Sequence, residues 1–375
     1  MPGERMRVAV PKETLADERR VALVPDAVTR LLTAGLAVTV AQGAGSAAAA
    51  ADDAYRAAGA TLAPAGPQLL AAADVVVKVQ RPSPEEAAAL REGSVLISFL
   101  PAARAPDLLR QLAARQITAL SLEQVPRITR AQSMDALSSQ ATIAGYKAVL
   151  LGAGQLAKLL PMLTTAAGTL APAKAFILGA GVAGLQAIAT ARRLGAVVSA
   201  FDVRPAVREQ VESLGAAFVA ADAVSPAAEG AGGYATELAA EQHQRELELI
   251  HRHLREMDLV ITTALVPNRP APRLITAAMV RDMKPGSVIV DLAAEAGGNC
   301  ELTRPGDTVT VAGVTVVGPL NLPATVPVHA SQMLSRNMLT LLQHLVKDGR
   351  LVIDLADEIT AAMVVTHQGT IRSPV

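Results

Sequence analysis

The run Gly-Ala-Gly-Val-Ala-Gly at 179–184 is where residue types and spacing point most directly to chemistry. It follows the apolar stretch Ala175, Phe176, Ile177 and Leu178, and a helix-forming segment opens at Val182. In a strand–turn–helix unit the first glycine permits the tight turn, and the second lets backbone approach a pyrophosphate. The third lets helix and strand pack closely. The helix N-terminus then offers unpaired N–H groups and a positive dipole end to the phosphates. Gly179, Gly181, Val182 and Gly184 are therefore candidate cofactor-binding residues. Asp202 ends the next β-forming run, 23 positions beyond Gly179, where a carboxylate hydrogen-bonds the ribose hydroxyls of adenosine. At 4 Å it would repel a 2′-phosphate by roughly 1–4 kcal/mol, depending on the local dielectric, which predicts NAD(H) over NADP(H). Val203 and Arg204 follow and are grouped with it, although an arginine can also accept a 2′-phosphate.

A second polar cluster lies in Pro-Arg-Ile-Thr-Arg-Ala-Gln-Ser-Met-Asp-Ala-Leu-Ser-Ser-Gln, residues 126–140. Arg127, Gln132, Asp135 and Ser138 can hydrogen-bond a carboxamide and a ribose, yet they offer no evident general base. The same residues also read as a loop leading into a helix, with Ser133 capping and Asp135 favouring the dipole. Gly230, Gly232 and Gly233 make either a hinge beside Tyr234 or an ordinary surface loop. Ala264 and Leu265 form an apolar turn that would line the nicotinamide side of a Rossmann site. The six histidines are poor catalysts by position. His243, His251 and His253 read as a solvated helix face, His344 and His367 lie near the C-terminus, and His329 precedes a helix it could cap. No metal-ligand set is expected.

The elements that would carry these groups alternate between β-branched runs and helical stretches, which indicates βαβ units and mostly parallel sheets. Strands are expected over 8–10, 38–41, 75–79, 95–99 and 118–120. A second series is expected over 175–179, 197–202, 217–219, 259–263, 288–292 and 310–317. Helices are expected over 25–33 and 84–91, with a long helical zone over 134–163 and another helix over 331–346. Two crossing helices imply that the chain leaves one domain, builds another and returns. Residues 1–135 with 330–375 then form an N-terminal Rossmann-like domain, and 140–328 an inserted NAD(H)-binding Rossmann domain. The expected fold class is α/β, with two doubly wound parallel sheets separated by a cleft.

Composition agrees with a burial-rich globular protein, at 51% hydrophobic and 18% charged residues. Zero net charge, no tryptophan and only three tyrosines argue against a nucleic-acid partner. Cys300 stands alone, which excludes an internal disulfide and suits a reducing cytoplasm. Arg5, Arg7 and Lys12 interrupt any early apolar run, so no secretory signal is expected. The uncharged stretches 31–51 and 308–335 are broken by polar residues and prolines, so no membrane span is expected and the chain reads as soluble on its own.

Several segments together resemble domain I of proton-translocating transhydrogenase, within the alanine dehydrogenase/transhydrogenase superfamily. They are Val-Pro-Lys-Glu at 10–13, Glu-Arg-Arg-Val-Ala-Leu-Val-Pro at 18–25, Arg-Ala-Gln-Ser-Met-Asp at 130–135 with the following Ala-Gly-Tyr-Lys-Ala-Val, Gly-Ala-Gly-Gly-Tyr-Ala at 230–235, and the run from Met283 to Glu301. The resemblance covers nearly the whole chain. It implies that Arg127, Gln132, Asp135 and Ser138 hold the nicotinamide and that Gln132 bridges toward a second one. It implies a lid role for Tyr234, NAD(H) on this chain and NADP(H) on a partner subunit. It further implies a homodimer, membrane-spanning partners that translocate protons, and a peripheral place on the cytoplasmic membrane face. Alanine dehydrogenase is the nearest alternative. Arg20 and Lys78 match its substrate-carboxylate residues, but Pro101 stands where its catalytic histidine is expected and Glu295 where its aspartate is. A non-enzymatic NAD(H)-sensing module would keep the glycine turn and Asp202 without needing the nicotinamide loop.

Overall fold

The computed structural model describes residues 5–219, 240–266, 269–347 and 349–372. Tyr234 and the glycines at 230, 232 and 233 lie outside them. The chain splits into two compact units, 1–140 with 323–375, and 141–322.

The first unit opens with β1 (Arg7–Val10), α1 (Pro25–Thr33), β2 (Ala37–Ala41), α2 (Asp52–Ala57) and β3 (Thr61–Ala63). It continues through α3 (Pro67–Ala71), β4 (Val75–Val77), α4 (Pro84–Ala89), β5 (Val95–Ser98), α5 (Pro106–Ala114) and β6 (Thr118–Ser121). Local chemistry sets these boundaries. Pro25, Pro84 and Pro106 each sit in the first turn of a helix, where a missing N–H costs nothing. Ser83 and Glu86 form a reciprocal capping box on α4. Helix α6 (Ala136–Gln155) begins in this unit and ends in the second.

The second unit holds β7 (Leu163–Thr165), β8 (Gly168–Leu170), β9 (Lys174–Leu178), α7 (Val182–Arg193), β10 (Val197–Phe201), α8 (Arg208–Ser213) and β11 (Ala217–Val219). Then come α9 (Ala240–Leu254), β12 (Leu259–Thr262), α10 (Ala277–Arg281), β13 (Val288–Asp291), β14 (Thr308–Val311) and β15 (Val314–Val317). The chain returns to the first unit through α11 (Pro327–Leu345), β16 (Val346–Lys347), β17 (Arg350–Leu351), α12 (Glu358–Met363), β18 (Val364–His367) and β19 (Thr370–Ile371).

Each unit is an α/β body on a mostly parallel sheet. The first sheet runs β19-β18-β6-β5-β4-β1-β2-β3, parallel from β6 to β3, with β18 and β19 added antiparallel. The second runs β11-β10-β9-β12-β13-β15-β14. Its central strands are buried on both faces. Along β9, Ala175 and Ile177 enter one core while Phe176 and Leu178 enter the other, as the two-residue period of a strand dictates. Gly145 of α6 lies so close to α7 that a Cβ there would fall 2.0 Å from the Ala183 carbonyl oxygen.

Two expectations are corrected. The run 310–317 is not one strand but the antiparallel pair β14 and β15, because Ala312 and Gly313 both take positive φ (52° and 78°) and fold the chain back in the manner of a two-residue hairpin turn. The helical zone stops at Gln155 rather than 163, and the hairpin β7–β8 follows it. Among the described residues no helix is long and apolar enough to cross a membrane.

Candidate functional site

In the second unit the strand order reverses at β9, whose neighbours are β10 and β12. The crevice beyond the strand ends at such a point is where open α/β sheets bind ligands. The 179–184 turn sits there. Gly179 takes φ +97°, and a Cβ on it would lie 2.6 Å from Thr263 Oγ1. A Cβ on Gly184 would lie 1.8 Å from the Gly179 carbonyl oxygen, whereas one on Gly181 would meet none of the described residues within 4 Å. Gly179 and Gly184 are thus glycines because protein packs against them, and Gly181 faces open space. The N-cap of α7 is Gly181, which has no side chain, and among the described residues no other side chain bonds the N–H groups of the first turn, which have no intrahelical acceptor and are left facing that space. An uncapped helix start over an open glycine fits a pyrophosphate.

Asp202 follows β10 and is 6% exposed. Its Oδ2 accepts the Ala180 N–H at 2.7 Å, tying it to the glycine turn. The Arg204 guanidinium forks onto both carboxylate oxygens, Nε to Oδ1 and Nη2 to Oδ2, each at 2.9 Å, and the Arg204 backbone N–H adds a third bond at 2.9 Å. Arg204 therefore folds back on the carboxylate, with half-buried Val203 between them.

Sequence reading missed Glu246 of α9, which is 4% exposed. Burial first, and then the charge of Asp202, push its carboxyl up to about 7. A group whose folded pKa lies above its ordinary 4.5 contributes stability that is complete below that value and lost as pH rises through the folded one. Denaturant unfolding at a series of pH values should therefore show Glu246→Gln gaining on the unmodified protein between pH 4.5 and 7.5, by at most about 3 kcal/mol. Parallel stability curves would mean that Glu246 is ionised in both states.

In the first unit the segment Thr129–Met134 is a 3₁₀ helix whose buried Ala131 and Met134 face the core. Asn337 of α11 donates to the Ser133 carbonyl at 2.9 Å and holds the turn from behind. This corrects the expected cap. Because the 3₁₀ turn incorporates Ser133, α6 starts later, and Asp135 caps it by accepting the Ser138 N–H at 2.8 Å and its hydroxyl at 2.6 Å. Asp135 and Ser138 thus satisfy one another, while Arg127 and Gln132 are exposed.

Beyond β12, Thr263 Oγ1 donates to the Gly179 carbonyl at 3.0 Å. Ala264 is half-buried, and Leu265 is 47% exposed, so an apolar side chain stands open beside the turn.

Four of the histidines have structural partners. His251 meets Asp282 at 2.7 Å, His344 meets Asp357 at 2.9 Å, and His367 meets Thr118 at 2.9 Å. His253 is not solvated as expected. It packs 4.8 Å from the Phe176 ring and contacts Ser199 Oγ at 3.2 Å, since its face of α9 is the one turned to the sheet. His329 lies inside the first turn of α11, exposed, and does not precede the helix, because Pro327 opens it. Arg20 is buried against Glu18 at 2.6 Å and donates to Gln140 at 2.8 Å. Lys78 is buried between Glu86 at 2.8 Å and Glu13 at 3.6 Å, and burial pushes the Glu13 carboxyl up to about 7. Both cations are paired with carboxylates of their own unit. Glu295 is exposed and accepts the Asn321 N–H at 2.9 Å. Among the described residues no group of three or more acidic, histidine or cysteine side chains could hold a metal ion.

Two family models together span nearly the whole chain. The one described as Alanine dehydrogenase/PNT, N-terminal domain, matches residues 9–144, and its C-terminal counterpart matches 148–374. The chain is 50% identical over 377 residues to a protein of Rhodospirillum rubrum named as the first portion of NAD(P) transhydrogenase subunit alpha, covering 98% of each. A crystal structure of transhydrogenase from Sinorhizobium meliloti superposes with a TM-score of 0.89 at 44% identity, covering 97% of this chain and 99% of that one. Alanine dehydrogenase of Bacillus subtilis is more distant, at 32% identity over 86% of this chain and 81% of its own.

Proposed function

We propose, since the chain belongs to the alanine dehydrogenase/PNT family, that it is the NAD(H)-binding subunit of a proton-translocating, Re/Si-specific transhydrogenase. In this role it passes a hydride from NADH to NADP⁺ held on a separate subunit. The observation that carries the reading is the uncapped start of α7 over the open Gly181, beside the buried Asp202. Phosphates suit the first, a ribose diol suits the second, and a 2′-phosphate would meet a carboxylate. On binding, the diol would compete for the oxygens that Arg204 now holds.

Hydride transfer between two nicotinamides moves no substrate proton, so the site has no use for an acid–base residue. That accords with Pro101 at the histidine position and with Arg20 and Lys78 already paired with glutamates. Catalysis then rests on holding two rings in a near-attack arrangement, roughly 3–3.5 Å apart. Arg127, Gln132 and Asp135 are assigned to nicotinamide positioning with Ser138, and Ala264 and Leu265 to its apolar side. Proton movement is assigned to membrane-spanning partners that keep this chain on the cytoplasmic face, since no described helix of this chain is long and apolar enough to cross a membrane itself and so to carry that step. A homodimer is supported by β7–β8, a hairpin exposed at every residue that presents Leu163 and Leu170. An isolated two-stranded hairpin is marginal in water, so a second copy covering it would stabilise it.

The test is hydride exchange between NADH and an NADP⁺ analogue, with and without the NADP(H)-binding partner subunit. Exchange in the mixture alone is the expected result. Alanine-dependent NAD⁺ reduction by this chain alone would replace the reading with alanine dehydrogenase, and silence in both assays with a nucleotide-sensing module.

A further inference from the structure

We infer that Asn299 is a positioning residue for hydride transfer, whose carboxamide sets the seat of the nicotinamide ring by clamping the Ala264–Leu265 turn; this rests on the function proposed above. Asn299 follows Gly297 and Gly298 after β13 and is fully buried. Its Oδ1 accepts the Ala264 N–H at 3.0 Å, while Nδ2 donates to the Ala264 carbonyl at 2.8 Å and to the Pro272 carbonyl at 2.8 Å. One side chain thus exchanges both bonds with a single residue, as a neighbouring strand would. A primary amide is the side chain that can accept and donate twice in this way. Its backbone carbonyl also accepts from Leu274 at 2.8 Å and Ile275 at 3.0 Å, so the residue also holds the chain beyond the turn.

The support beneath Asn299 is independent of it. Asp291, fully buried at the end of β13, accepts from Thr262 Oγ1, the Ala293 and Cys300 N–H groups and Thr303 Oγ1 at 2.6–3.0 Å. That carboxylate already anchors the segment to the strands, whereas among the described residues the Asn299 carboxamide bonds to the loop after β12 alone. On the other side of Ala264, Thr263 bonds the Gly179 carbonyl. Hydrogen bonds and adjacent peptide units therefore run without a break from the phosphate turn through Thr263 and Ala264 to Asn299. The phosphate turn fixes one end of a bound dinucleotide, and the Asn299 clamp fixes the height of the surface under the other. Interactions realised in placement of the reacting ring appear in rate more than in affinity.

Asn299→Asp tests this. The carboxylate can still accept the Ala264 N–H but faces the Ala264 and Pro272 carbonyls without a proton to donate. Single-turnover transfer to partner-bound NADP⁺ should fall by roughly 10- to 100-fold, with AMP affinity unchanged, NADH affinity within about three-fold and the melting temperature lowered, since a buried carboxylate facing two carbonyls is destabilising. Transfer should recover as pH falls and the new carboxyl gains a donor proton. The emission of bound NADH, which reports the ring's surroundings, should shift in the variant. Normal transfer and unchanged emission would overturn the role, and so would a joint loss of AMP and NADH binding at a temperature where the variant is folded, the mark of a structural residue. If the unmodified protein binds NADH but transfers nothing, the hydride-transfer reading falls, and the emission comparison alone still decides whether Asn299 seats the ring.

Discussion

Replacing Gln132 with Asn should leave NADH binding within a few-fold of normal and slow single-turnover transfer to partner-bound NADP⁺ by roughly 10²-fold or more. Gln132 is exposed on a 3₁₀ turn held by its neighbours, with Ala131 and Met134 buried beneath and Asn337 bonded to the Ser133 carbonyl. Shortening its side chain by one methylene leaves that support intact, so the melting temperature should not move. The phosphate turn and Asp202 grip the adenosine half, to which Gln132 contributes little. An interaction used mainly in the transition state lowers rate rather than affinity when lost. Asp202→Ala is the control and should behave oppositely, weakening NADH binding first and narrowing its preference over NADPH. Transfer at the normal rate in Gln132→Asn would reduce the 129–134 segment to a structural turn.

A second large effect should separate two glycines three positions apart. In Gly184→Ala the new Cβ would lie 1.8 Å from the Gly179 carbonyl oxygen. That oxygen is backbone and cannot rotate aside, so α7 must shift from β9. Overpacking of this kind costs typically 1–3 kcal/mol, and the displaced helix start should lose NADH as well. Gly181→Ala is the complement. Gly181 has φ −76°, which alanine adopts freely, and its Cβ would point into open space. The fold should melt normally while NADH affinity drops by at least about ten-fold, since the methyl stands where phosphate oxygens would approach. Calorimetric titration beside thermal melts reads both, and equal melting losses in the two variants would sink the distinction.

The sheets were legible because their strands are buried on both faces and so read as unbroken β-branched runs, as in Val288, Ile289 and Val290. That same continuity hid the β14–β15 turn, although Gly313 stood in plain view between alternating Thr and Val. Strands β18 and β19 were not foreseen. They are short, and β6, the partner of β18, lies almost 250 positions earlier in the chain, as in the bond between Thr366 and Ala119. At the candidate site the glycine turn was readable because its chemistry is local. Asn299 was not, because it acquires its role from Ala264, 35 positions away, and Glu246 was not, because its burial and the charge of Asp202, 44 positions away, exist only in the fold. The cap of α6 was misplaced by two residues, since Ser133 and Asp135 are both good caps and the 3₁₀ turn decides between them.

The approach of α6 to α7 at Gly145 has a consequence for how this sequence can drift. Every single-base missense change in a glycine codon adds at least a Cβ, and here that atom would fall 2.0 Å from the Ala183 carbonyl oxygen. A mid-helix glycine costs about 1 kcal/mol relative to alanine, so ordinary helix propensity pulls toward the very substitution the contact forbids. A lineage that accepted alanine at 145 would have to part the backbones of α6 and α7, and any share of that shift taken by α7 would move the 181–184 turn with it. Gly145 and the phosphate turn are therefore coupled, although one lies in α6, more than thirty positions before the other.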